Sequence, residues 1–293
     1  MHPIVDGHVH IWPAPRPGYE GRDVPGFPFP TGLAGHAEAL IEQLNAYGIA
    51  RAIAVQSPWW AHDDRYLIEA RDRFPERITA VGCLPLILTE ADLSAESEKV
   101  GHDGFAGLRV HVSGSGSLDL FATDALDPIY RRLADRNLPL LLLSRQHQAH
   151  DLYHRVAGKF PSLPIVIDHL GHATTPFGGT QATQDNFLRL AQHRNMNVKL
   201  ALHHQHSAEA YPWRDLHAFQ RRILDAFGPE RAFWGSNWPM KPEQVTYTQR
   251  IETLARHFPF RDVSEREWVM GRTAARLWPS AVAQARRAGG VKA

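Results

Sequence analysis

The chain has 293 residues, 43% of them hydrophobic and 22% charged, which is enough to bury a large core without covalent staples. Its 32 basic and 31 acidic side chains leave a formal net charge of +1, with no excess to hold a phosphate backbone, so nucleic acid is not an expected partner. Cys83 is the only cysteine, which excludes an internal disulfide; MHPIVDGHVH does not read as a secretory leader and no stretch approaches a membrane span, so a soluble cytoplasmic protein without a membrane partner is expected.

The first predicted strand is Ile4 to His10. It is followed by Pro13 to Gly32, a proline- and glycine-rich segment of the kind that forms a lid or binding loop. A helix is expected over HAEALIEQLNAYG, with Leu40, Ile41, Leu44 and Tyr47 on one face, and strands follow at Arg51 to Gln56, Ile78 to Leu84 and Gly104 to His111. DALDPIYRRLADRN carries Leu126, Ile129, Tyr130 and Leu133 at helical spacing before strands at Leu138 to Ser144, Leu163 to His169 and Asn197 to His203. WRDLHAFQRRILDAFG repeats the pattern through Leu216, Phe219, Ile223, Leu224 and Phe227, and the last strand is Arg231 to Asn237. SEREWVMGRTAARLW keeps apolar spacing through Trp268, Met270, Ala274 and Leu277, as a helix packed on the body, and Ala288 to Ala293 reads as a frayed tail.

Eight strands alternating with helices predict an α/β fold, a single (β/α)8 TIM barrel spanning the chain, with a long loop after the first strand and an extra C-terminal helix. The alternative, an open doubly wound sheet, lacks the glycine-rich phosphate loop after its first strand.

In a barrel, the C-terminal ends of the strands converge on one pocket. His8 and His10 share a face of the first strand with Asp6, Arg109 and His111 end the fourth, His169 ends the sixth and Asn237 the eighth. Two imidazoles aimed at one point form a chelate or a proton-handling pair. Lys199, Ala201 and His203 share one face of the seventh strand, inward or outward, and His204 and His206 are either pocket lining or loop. Trp12, Phe27, Phe29, Trp59, Trp60 and Trp238 crowd the mouth, as a wall for a small ring-bearing substrate or as packing of the lid.

These runs, DGHVHIW at 6–12, IARAIAVQ at 49–56, GFAGLRV at 104–110, IVIDHLG at 165–171, NVKL at 197–200 and FWGSNWP at 233–239, resemble the amidohydrolase superfamily. The branch is amidohydrolase 2, which includes sugar-lactone and dicarboxylate-lactone hydrolases. The closing GRTAARLW also resembles that branch, with Arg272 where Asn is commoner. The resemblance implies that His8, His10 and His169 hold one divalent metal ion, zinc or manganese, or polarise the substrate directly without one. Arg109 then grips a substrate carboxylate or hydroxyl, a bidentate task that suits a guanidinium.

Three departures qualify this picture. The eighth strand ends in Asn237 rather than the Asp that activates water, and an amide takes no proton near neutral pH. The fifth strand puts Ser144 and Arg145 where many relatives place a histidine. The residue that bridges two metals in binuclear relatives is missing from the fourth strand, which argues against a binuclear site.

The leading expectation is a hydrolase that opens a small lactone or related cyclic ester. Catalysis falls to His8, His10, His169 and Asn237, with His169 the first choice of base at a pKa near working pH. Arg109, His111, Arg145, Trp12, Trp59 and Trp238 contact a small acidic or hydroxylated substrate, and a homo-oligomer is left open. The alternatives are a zinc-dependent non-oxidative decarboxylase of an aromatic or muconate-type acid, and a decayed barrel acting as a binding protein.

Overall fold

The computed structural model describes residues 2–14, 17–19, 21, 35–61, 63–84, 104–112 and 120–279. Most of the expected lid, including Phe27 and Phe29, and the tail 288–293 lie outside the described residues.

Eight parallel strands run in chain order around one sheet: β1 (Val5–Val9), β2 (Arg51–Val55), β3 (Ile78–Cys83), β4 (Leu108–His111), β5 (Leu140–Leu143), β6 (Ile165–Ile167), β7 (Met196–Leu200) and β8 (Ala232–Trp234). The circle is completed above β8, where Val9 bridges Trp238, the Asn237 N–H donates to the His8 carbonyl at 2.8 Å and the His10 N–H donates to the Trp238 carbonyl at 2.7 Å. Glycine permits this approach, because a Cβ at Gly235 would stand 2.7 Å from the His8 Cβ. The architecture is the (β/α)8 barrel that the alternation predicts.

Strand side chains alternate between two apolar layers, as they must when both faces are covered. Ala52, Ala54, Leu140 and Leu142 face outward against Leu40 and Leu44 of helix α1 (Ala37–Ala46), Leu67 of α2 (Arg65–Arg73) and Leu133 of α3 (Asp127–Asp135). Tyr47 ends α1 partly exposed, its hydroxyl on Thr248 Oγ1 rather than in the core. The stripe expected after Trp213 forms α4 (His217–Phe227), with Phe219, Ile223, Leu224 and Phe227 buried. Inside the barrel, Val5, Ile53, Val81, Leu141, Val166 and Phe233 fill the lower half, and Ala274, Leu277 and Trp278 of the C-terminal helix seal the floor. A π turn at Trp268–Arg272 shifts the phase of that helix, so Val269 is buried where Trp268 was expected.

The apolar filling stops halfway up. Above it, the inward positions of β1, β4 and β7 are occupied by His8, Arg109 and Lys199, all buried.

Candidate active site

A cavity of about 540 Å³, counting its open mouth, sits at the C-terminal end of the strands. Of the expected site residues, His10, Trp59, Arg109, His111, Arg145, His169 and Asn237 line it. Among the described residues its lining contains no carboxylate.

Each side chain reaches the cavity through its strand. In β4, Leu108 and Val110 pack outward, so Arg109 and His111 point inward. In β1 the alternation breaks: the register against β2 shifts between Asp6 and Val9, and Val5 and His8 both end up inside. The shift separates Asp6 from the histidines, contrary to the shared face expected for all three. Its Oδ1 accepts from the Ser236 N–H at 2.8 Å and its Oδ2 from the Tyr247 hydroxyl at 2.8 Å, so Asp6 ties the segment that follows β8 to β1.

β6 ends at Ile167, two residues before His169. Val166 points into the barrel, so Asp168 does too, and strand parity alone would send His169 outward. His169 returns to the cavity because its backbone turns into the left-handed region, at φ 51°. His172 enters by the same route, at φ 51°. Asp168 and His172 were not anticipated; the inward parity of Asp168 was readable from the apolar run, whereas nothing in the sequence marks the left-handed turn.

Lys199 resolves inward. Met196, Val198 and Leu200 of β7 face the outer core, and Lys199 is 0% exposed. His203 does not share its face, because β7 ends at Leu200 and Leu202 takes a positive φ of 60°. The ring of His203 stacks instead on Trp213, 6.4 Å between centroids, and Leu202 and Gln205 take the lining positions. His206 is buried with its Nδ1 on Thr174 Oγ1 at 2.8 Å, and neither it nor His204 lines the cavity.

The tryptophan wall is one ring deep. Trp59 lines the cavity, while Trp12 and Trp60 stack behind it at 5.9 Å and 7°. Trp238, expected as a substrate contact, packs against the main core and offers the site only its backbone. Trp12 likewise supports the wall without lining the cavity.

Asp168 is the electrostatic centre. Its Oδ1 accepts from Lys199 Nζ at 2.5 Å and its Oδ2 pairs with an Arg109 terminal nitrogen at 2.9 Å, all three groups being buried. Burial alone would raise the Asp168 pKa, but the two cations outweigh it and hold the carboxyl below the usual range. Burial pushes Lys199 down to about 8, against the pull of Asp168. Arg109 is therefore both an ion-pair partner and cavity lining. Its Nε–H has no acceptor among the described residues.

The histidines around this centre are neutral. Burial, aided by neighbouring cations, pushes His8, His111 and His169 well below the ordinary 6.5 and His10 and His172 to about 3. This corrects the expectation of histidines titrating near working pH. The rings of His8 and His10 meet edge to face at 4.7 Å and those of His8 and His169 at 4.9 Å. The Nδ1 of His169 and that of His172 have no hydrogen-bond partner among the described residues.

The three imidazoles expected to hold a metal thus come together, but the donor set does not fit a divalent ion. Among the described residues no three His, Cys, Asp or Glu side chains are disposed to bind one. Asp168 has both oxygens engaged by cations and Asp6 both engaged by Ser236 and Tyr247. Lys199 and Arg109 beside the imidazoles add charge of the wrong sign for a dication.

The family described as amidohydrolase matches residues 5–280 of the chain. The chain is 28% identical over 242 residues to L-fucono-1,5-lactonase of Burkholderia ambifaria, covering 80% of each protein. It is 27% identical over 240 residues to D-galactarolactone isomerase of Agrobacterium fabrum, covering 80% of this chain and 76% of that one. A zinc-bound amidohydrolase of Burkholderia multivorans superposes with a TM-score of 0.77 at 19% identity, covering 94% of this chain and 99% of the other, a likeness of fold. No helix among the described residues is long and apolar enough to cross a membrane.

Proposed function

The chain belongs to the amidohydrolase family, and on that premise we propose that it hydrolyses a small acidic lactone. One observation carries the reading: Arg109 and His169 both line the cavity, and in each a buried nitrogen, Arg109 Nε–H and His169 Nδ1, has no hydrogen-bond partner among the described residues. Buried polar groups are rarely left without partners, and these two are the pair that ester hydrolysis needs. Water attacks the lactone carbonyl and passes its proton to His169 Nδ1. The carbonyl oxygen gathers negative charge against Arg109. The ring C–O bond then breaks, and the imidazolium returns the proton to the leaving oxygen, giving a hydroxy acid. Asn237 orients the water as an amide and takes no proton. Arg145, on the cavity wall, receives the acidic group of the substrate, and Trp59 flanks its ring. The similarity to a lactonase supports this choice of bond.

The absence of a carboxylate at position 237 favours a second reading, in which a hydroxyl of the substrate itself replaces water and an isomeric lactone forms. The similarity to a lactone isomerase is in line with it. Product analysis on a panel of acidic and neutral lactones separates the two, since hydrolysis releases a new carboxylic acid and isomerisation does not. His169→Ala is expected to lower kcat by about 100-fold or more with the fold intact by circular dichroism. Turnover of no lactone, or full activity in His169→Ala, overturns the proposal.

A further inference from the structure

We propose that Lys199 is a positioning residue that sets the direction of the hydrogen bonds through His8 and His10 and thereby commits the nitrogens that a metal would need. The argument starts from the far end of the chain of bonds. His10 Nδ1 lies 2.7 Å from the Val55 carbonyl, which only accepts, so this nitrogen carries the hydrogen. The lone pair of His10 is then on Nε2, 3.1 Å from His8 Nε2, and His8 must be the donor of that bond. His8 is left with its lone pair on Nδ1. Lys199 Nζ, a donor, stands 2.7 Å from it. The assignment forced from Val55 at one end therefore agrees with the one forced from Lys199 at the other.

Distance alone would not decide between this chain and a shared ion. Two nitrogens bound to one zinc at about 2.0–2.1 Å each are separated by roughly 3.3 Å at the tetrahedral angle, close to the separation seen. Direction decides it. An imidazole that binds a metal through Nε2 carries its hydrogen on Nδ1 and donates it to a carbonyl or carboxylate. His10 has such a partner in Val55. His8 has a lysine, and the tautomer needed for a metal would set one donor against another. Lys199 is itself fixed by Asp168, and Asp168 by Arg109, so it cannot turn aside without breaking a buried ion pair. In this site Lys199 and Arg109 supply the positive charge that a metal supplies elsewhere, and His8 and His10 act as a tethered pair.

The inference rests on reading this cluster as the reacting site, but its direct tests need no substrate. In ¹⁵N-histidine-labelled protein, with His8→Gln and His10→Gln used to assign the signals, long-range ¹H–¹⁵N correlation should show hydrogen on Nε2 of His8 and on Nδ1 of His10. Adding one equivalent of zinc chloride should leave both unchanged, and dialysed protein should retain well under one zinc per chain. In Lys199→Met the Val55 end still holds a hydrogen on His8 Nε2, but no donor bars His8 Nδ1 from carrying one instead, so zinc chloride should now shift both rings, and kcat on any lactone turned over should fall about 10- to 100-fold with KM within about 3-fold. Hydrogen on Nδ1 of wild-type His8, zinc-dependent shifts of both rings in the wild type, or the absence of any zinc-dependent shift in Lys199→Met would each overturn the inference. If Lys199→Met does not fold, the wild-type spectrum and zinc titration decide alone. A protein that turns over no lactone but shows these spectra refutes the proposed reaction and leaves the role of Lys199 standing.

Discussion

Lowering the pH should unfold this protein unusually early, and the structure sets the scale. Among the described residues eight histidines are buried: His8, His10, His111, His150, His169, His172, His203 and His206. In every one burial pushes the pKa below the ordinary 6.5, to about 4 in His150, to about 3 in His10, His172 and His203, and well below 6.5 in the others. An unfolded chain takes up protons at these positions as pH falls through 6.5, while the folded one does not, so stability present above 6.5 is lost on the way down. At pH 5.5 each site favours unfolding by on the order of 1 kcal/mol, and the eight together by on the order of 10 kcal/mol, comparable to the roughly 5–15 kcal/mol that a whole domain commands. The transition should fall between about pH 6 and 5, with uptake of about seven protons per molecule. The 8 tryptophans make emission a direct reporter, with far-UV circular dichroism as the second probe. Native spectra retained at pH 4.5 would refute the claim that these imidazoles are held neutral by burial.

Removing the carboxylate from the central cluster should be costly. Asp168→Asn leaves Lys199 and Arg109 buried without their shared anion and is expected to lower stability by about 3–5 kcal/mol, read from the urea midpoint, with part of the loss recovered when Lys199→Met is added. A change below about 1 kcal/mol would mean that the cluster is screened by solvent. Trp59→Ala should raise KM about tenfold because this ring lines the cavity, whereas Trp238→Ala, which removes a ring packed on the main core, should leave KM within about twofold.

Much of this arrangement follows from period-two reasoning. The inward direction of Arg109 and His111 is given by the outward Leu108 and Val110, and the strand ends converge because barrels converge there. The same rule points Asp168 inward from Val166, one position before the histidine that the turn carries into the site. Other features have no local signature. The register shift in β1 that parts Asp6 from His8 arises from pairing with a strand about 45 residues away, and the left-handed turns at His169, His172 and Leu202 fall on residues that seldom adopt that conformation. Phase rules fail after such points, which is why Trp238 leaves the site and His203, left open by the sequence, lies outside it, while His172 joins it. The direction of hydrogen bonds is a further step removed, since it depends on a backbone carbonyl of β2 and a lysine of β7 meeting through two rings of β1.

A base whose pKa lies well below 6.5 looks ill-suited to taking a proton from water, and the cause of the depression answers the difficulty. After burial, the largest influence on His169 is the positive charge of Arg109. In the proposed reaction the oxygen that gains negative charge sits against this same guanidinium. As the oxyanion grows, it cancels the field that opposes an imidazolium, so His169 becomes more basic as the water surrenders its proton. Proton transfer and carbonyl attack are thereby coupled, and the resting enzyme keeps its base neutral. Because kcat/KM reports the free enzyme, its pH profile should be flat between about pH 6 and 7.5, without the limb centred near 6.5 that an ordinary histidine base gives. At lower pH, activity should be lost together with the native tryptophan emission. A limb centred near 6.5 in protein that is still folded would show that the base is a histidine outside this cationic cluster, and would remove His169 from the role.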